Sequence, residues 1–222
     1  LKFVGLEDGT SLLSRLKLEF NLTLAVVVLC LHTSLIAEAQ ATELLAPHGL
    51  NTDAIDLAVT WSDPYFLPYD FGYFGFVYDS EKIQTPPKTL KDLMLNPDSP
   101  LVIIQDPRTS TPGLGLILWA RKVFGDKDID AWEKFAAKIV TVTKGWSEAY
   151  GLFLKGEAPM VLSYTTSPAY HRHIENSERY RVAMFDDGHY QQVEVVARLA
   201  SSKNPMLAQD FLSFMLSDDV QN

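Results

Sequence analysis

The sequence predicts an α/β fold of two lobes, and three observations carry that reading. Short apolar runs alternate with helical patterns along almost the whole chain, the mark of a protein with mostly parallel sheets flanked by helices. With 222 residues, 47% hydrophobic and 11% aromatic, the chain can bury a substantial core, as one large domain or two small ones. An aromatic, glycine-punctuated stretch, Tyr69-Asp70-Phe71-Gly72-Tyr73-Phe74-Gly75-Phe76-Val77-Tyr78, reads as an extended strand able to cross between domains.

Taken in order, a strand is expected at residues 1–6, followed by Glu7-Asp8-Gly9, where Asp8 can cap a helix over 10–20. The run Leu24 to Leu31 is about half the length of a membrane-spanning helix, and its β-branched content suits a buried strand. Cys30 within it is expected to be a buried, inert thiol with no acidic or basic neighbour. A helix over 34–45 follows, then the extended stretch and a strand at 73–78, with a helix at 90–95. A strand at 101–104 leads through Asp106-Pro107-Arg108-Thr109-Ser110-Thr111 into a helix over 112–124, with Pro112 expected at its first position. A helix at 129–138 and a strand at 139–142 come next, and Lys144-Gly145-Trp146 opens a helix over 147–154. A strand at 160–163 ends in Tyr164-Thr165-Thr166-Ser167, which starts a helix over 167–174 with Pro168 in its first turn. Strands at 180–184 and 190–197 and a helix at 205–216 complete the pattern.

A net charge of −9 argues against nucleic acid and anionic membrane surfaces as partners, and it weakly favours cationic or neutral ligands. From the apolar runs no transmembrane segment is expected, hence no membrane insertion, and from the opening Leu1-Lys2-Phe3-Val4 no signal peptide is expected. A single cysteine excludes an internal disulfide and any multi-cysteine metal site. The five histidines are scattered, and His171 and His173, two apart, do not share the face a helical metal pair needs. Nucleotide-loop and common hydrolase motifs are absent.

The groups that can bind something sit at helix starts. Ser110 and Thr111 place hydroxyls beside backbone N–H groups, suited to an anion or a polar head; an ordinary capped helix start is the alternative. Arg108 can add charge there or fold back onto Asp106. Trp146 can stack on a flat ring or donate its N–H, or simply pack in the core. Tyr164, Thr165, Thr166 and Ser167 bring a ring face and three hydroxyls to one point, which suits a flat cationic ligand with an oxygen-rich tail.

These residues also carry a resemblance. Residues 106–115, 141–156 and 162–171, three long motifs in the right order, resemble the periplasmic thiamine-binding members of the type II periplasmic binding protein family, and the likeness runs the length of the chain. It implies a two-lobe fold, with 1–72 and 191–222 in the first lobe, 73–190 in the second, and hinge strands near 73–80 and 186–194. It implies ligand contacts from Asp8, Gly9, Ser110, Thr111, Trp146, Tyr164, Thr165, Thr166 and Ser167, in a cleft between lobes. It implies a carrier without cofactor or catalysis, periplasmic, passing thiamine or its phosphate esters to the permease of an ABC importer. Relative to that family the chain lacks a first strand before Leu1 and a tryptophan-bearing segment after Asn222, so an incomplete first lobe is expected; residues 20–32 also depart from the family pattern. The alternatives are a binding protein for a polyamine, ferric ion or phosphonate, and a thiamine-degrading transferase of the same fold, which would need an activated cysteine.

Overall fold

A computed structural model describes residues 2–6, 8–52 and 61–221; Leu1 and Glu7, both part of the sequence reading, lie outside the described residues. The chain divides into two compact units, Leu1–Phe71 with Val193–Asn222, and Gly72–Gln192.

In the first unit, Asp8 caps α1 (Gly9–Glu19) by accepting the Gly9 N–H at 2.7 Å. Leu13 and Leu16, three residues apart, share one face of this helix and are buried. β1 (Val27–His32) pairs antiparallel with β8 (Gln191–Leu199), but the register shifts between Val28 and Leu31. Inside that bulge Cys30 takes φ 63°, a left-handed backbone that costs an L-residue roughly 1–2 kcal/mol. Gly9 lies against the same bulge, where a Cβ would meet the Cys30 carbonyl oxygen at 2.6 Å.

Two expected elements are corrected here. Residues 2–6 form no strand; Phe3 and Val4 are exposed, and among the described residues no strand pairs with them to take up their backbone groups. The helix expected over 34–45 is only α2 (Ile36–Gln40), because the Thr42 hydroxyl donates to the Ala39 carbonyl at 2.6 Å and Glu43 turns to φ 56°. The chain then enters the short β2 (Leu45–Ala46), which pairs with β8. α8 (Pro205–Met215) closes this unit's core by burying Leu212 against Val196 of β8 and Leu67 of β3 (Phe66–Asp79).

β3, fourteen residues long, continues into the second unit, where it pairs antiparallel with β6 (Met160–Tyr164) and β7 (Tyr180–Ala183). β4 (Val102–Gln105) lies parallel to β5 (Ile139–Thr143) and to β6. The pairing in each unit is therefore not mostly parallel: in the second unit β3 runs against β6 and β7, and in the first β8 runs against β1 and β2.

Strand alternation explains how this unit buries both faces. Phe74, Phe76, Val102, Ile104, Met160 and Leu162 point one way, into a core shared with α3 (Leu90–Leu95), α4 (Thr111–Phe124) and α5 (Asp128–Ala136). Val77, Ile103 and Val161 point the other way, onto Ala149, Tyr150 and Phe153 of α6 (Trp146–Leu154). A sheet covered on both sides needs apolar residues at consecutive positions, which is why these strands read as unbroken runs.

Gly115 lets α4 come down on β3: a Cβ there would lie 2.1 Å from Cε2 of Phe74, a ring with almost no free space around it. Gly115→Ala is therefore expected to destabilise the protein by about 1–3 kcal/mol despite the better helix propensity of alanine. Urea unfolding checks this, and a variant as stable as the wild type would show that Phe74 can shift without cost.

Candidate functional site

Because β4, β5 and β6 run parallel, the loops that follow them leave the same edge of the sheet. Each loop opens a helix, α4, α6 and α7 (Ser167–Ile174), so three sets of N-terminal backbone N–H groups lie along that edge. The sequence-predicted residues of this unit all fall there.

The first loop is held by Asp106. Its carbonyl accepts the N–H groups of Thr109 and Ser110, at 3.1 and 2.9 Å, and its carboxylate accepts the Arg108 backbone N–H at 2.9 Å. The Arg108 guanidinium folds back onto the same carboxylate, with contacts of 2.5 to 3.2 Å, and holds it down at about 2. Of the two arrangements left open for Arg108, the structure has the one turned toward Asp106. Ser110 is the N-cap of α4, wholly buried, and its Oγ has no hydrogen-bond partner. Thr111 is the first residue of α4, so Pro112 stands second rather than first.

The Thr109 hydroxyl donates to the Lys144 carbonyl at 2.6 Å and so ties the first loop to the second. There Trp146, half-buried at the start of α6, donates its indole N–H to Ser163 Oγ at 2.8 Å and stacks on Tyr150, ring centroids 5.2 Å apart. Its N–H is thus engaged within the unit.

In the third loop the Tyr164 ring packs on Phe74 at 5.3 Å, and its hydroxyl donates to Gln192 Oε1 at 3.3 Å. Thr165 donates its N–H to the Tyr73 carbonyl at 2.9 Å. Thr166 is exposed at the N-cap of α7, and Ser167 Oγ lies 2.7 Å from Ser163 Oγ while accepting the Tyr164 N–H. Trp146, Ser163, Ser167 and Tyr164 thereby form one bonded group.

Sequence reasoning passed over Gln105. This fully buried residue ends β4, donates Nε2–H to the Leu162 carbonyl at 2.9 Å, and leaves Oε1 buried without a partner beside the loop that leads to Ser110. A polar residue closing an apolar parallel strand was the available signal, since ligands in open α/β sheets gather at carboxyl ends of strands.

Asp8 and Gly9 belong to the first unit, where Asp8 caps α1 and Gly9 is buried against β1. The expectation for Cys30 needs correcting: the thiol is exposed, because the bulge turns it out of the strand, and the hydroxyl of Tyr69 lies 3.2 Å from its sulfur while donating to Glu194 Oε2 at 2.8 Å. Partial burial, with the nearby Glu194 carboxylate, raises the thiol above its ordinary range, and burial also raises Glu194. A thiol held protonated in this way is not a prepared nucleophile. Among the described residues no group of histidine, cysteine and acidic side chains could hold a metal ion, and no helix is long and apolar enough to cross a membrane.

A model of the bacterial extracellular solute-binding protein family matches residues 35–222. A Thiamine-binding periplasmic protein of Salmonella typhimurium is 56% identical over the whole chain, which spans 68% of that relative. A solved Periplasmic thiamin binding protein superposes with TM-score 0.97 at 56% identity, covering all of this chain and 70% of that one. The fold extends further: iron-bound HitA from Pseudomonas aeruginosa reaches TM-score 0.79 at 22% identity, with 95% of this chain and 70% of that one covered.

His32, beside Asp8 in the electrostatics of the first unit, is buried with Nε2 unpartnered, and burial pushes its imidazole down to about 4. The unfolded chain therefore takes up a proton near pH 6.5 that the folded chain refuses, so stability falls as pH drops from about 6.5 toward 4. Between pH 7 and pH 4 the wild type is expected to lose about 3 kcal/mol relative to His32→Asn, measured by denaturant titration at each pH. A difference independent of pH would mean that His32 is not held neutral.

Proposed function

The chain belongs to the bacterial extracellular solute-binding protein family, and we propose that it is a thiamine carrier of the periplasm that delivers thiamine or its phosphate esters to the permease of an ABC importer. The observation that carries this reading is the 56% identity, over every residue of the chain, to a Thiamine-binding periplasmic protein. The 22% likeness to an iron-bound protein extends to the fold alone and favours neither ferric ion nor another solute.

The chemistry of the second unit supports the ligand class. Thiamine is a flat cation with a hydroxyl or phosphate tail, and the proposed contacts pair the rings of Tyr164 and Trp146 with the hydroxyls and helix-start N–H groups of Ser110, Thr111, Thr165, Thr166 and Ser167. Asp8 and Gly9 are proposed as contacts of the first unit. The net charge of −9 adds long-range attraction for a cation. No chemistry is assigned to the bound molecule, since the single cysteine is held protonated.

Calorimetric titration with thiamine, its monophosphate and its diphosphate tests the reading. Tyr164→Ala is expected to weaken thiamine binding by about 1–3 kcal/mol, the range for a lost ring face with a cation–π component, and Tyr164→Phe by less. Equal losses would shift the role to the hydroxyl. Wild-type protein that binds none of the three ligands would overturn the proposal. Incubation of thiamine with the protein and a nucleophilic co-substrate should leave it intact, and turnover abolished by Cys30→Ser would favour the transferase reading.

A further inference from the structure

α6 and α7 are joined by two rungs whose members are spaced alike. The upper rung runs from Trp146 Nε1–H to Ser163 Oγ and on to Ser167 Oγ. Four residues along each helix, one turn on, the lower rung joins the Tyr150 hydroxyl to His171 Nε2 at 3.0 Å. His171 is buried, and its Nδ1 lies 2.7 Å from Glu175 Oε2; a carboxylate only accepts, so Nδ1–H donates to it and Nε2 is left for the Tyr150 hydroxyl. The rings continue the linkage: Tyr150 stacks on Trp146 on one side and, at 5.8 Å and 16°, on His171 on the other, while Tyr180 of β7 packs on the imidazole at 4.6 Å.

We infer that Tyr150 and His171 are positioning residues for ligand binding, acting through the Trp146 indole, which Ser163 and Ser167 help to hold, rather than touching the ligand. The inference rests on the proposed role of Trp146 and Ser167. Both rungs are needed because one bond between two helices leaves a rotation about it, whereas two bonds a turn apart remove it. The Tyr150 ring is also the surface on which the Trp146 indole lies flat, so loss of the lower bond frees that ring and then the indole. Burial makes the pair costly to break, since either polar atom left alone in this apolar setting loses its water as well as its partner.

The test uses the full chain and two readouts. In Tyr150→Phe, which keeps the ring and removes the hydroxyl, hydrogen exchange of the Trp146 indole N–H, followed by NMR, is expected to speed up about fivefold or more, as for one lost buried hydrogen bond. His171→Asn should do the same, and the two together should exceed neither by much. In thiamine titrations Tyr150→Phe is expected to weaken binding about fivefold, and that loss should vanish in a Trp146→Phe background, since the residue acts through the indole. Unchanged indole exchange in both variants overturns the inference, as does a fivefold loss that persists without Trp146. Faster indole exchange in a protein that binds no thiamine would instead sustain the positioning role and reject the proposed function.

Discussion

The parallel alignment of β4 with β5 and β6 is the constraint from which the candidate site follows. Parallel strands must leave the sheet at the same edge, so the segments after Gln105, Thr143 and Tyr164 are brought together by backbone pairing before any of their side chains meet. The helices that start there are then obliged to aim their free N–H groups along that edge. Side chains act on this frame by tying loop to loop: Thr109 to Lys144, Trp146 to Ser163, and Ser163 to Ser167. An edge made this way is held together because its parts share bonds, and it is polar because helix starts are unsatisfied by nature.

The two faces of the same sheet supply the energy that keeps the edge in place. Three helices press on one face and α6 on the other, so removing a large apolar group such as Phe74 or Phe153 disturbs a layer that the loops depend on. Gln105 Oε1 and Ser110 Oγ are both unpaired at the end of β4 and the start of α4. Unpaired buried oxygens are expensive, and both lie where β4 gives way to α4, among the residues proposed to contact a ligand.

Much of this was legible in the sequence, for identifiable reasons. The strands near 101–104 and 160–163 are legible as apolar runs because both of their faces are covered, whereas β5 is legible from its β-branched residues with Val140 and Val142 exposed, and the helices at 90–95 and 167–174 have clear starts in Thr89 and Pro168. The edge residues Ser110, Trp146 and Tyr164 to Ser167 could be named because helix-start residues follow strands at short range. What failed depended on the third dimension. Residues 2–6 have strand composition but, among the described residues, no strand beside them, and the helix expected to reach residue 45 yields where the Thr42 hydroxyl bonds the Ala39 carbonyl. The pairing of Tyr150 with His171 spans two helices, and no local pattern forecasts it. Cys30 was misread as buried because alternation along β1 breaks at a bulge.

That bulge gives the molecule a chemical property of its own. The chain has one sulfhydryl, and it stands at the surface with a phenol hydroxyl and a carboxylate close by. A thiolate is what attacks alkylating and disulfide reagents, and a thiol raised above its ordinary range supplies little of it near neutral pH, so this one reacts slowly there without needing to be hidden. A spectroscopic label driven on under alkaline conditions would attach at a single known point in the first unit, beside Tyr69 and Glu194, and would report on β1 and its neighbours.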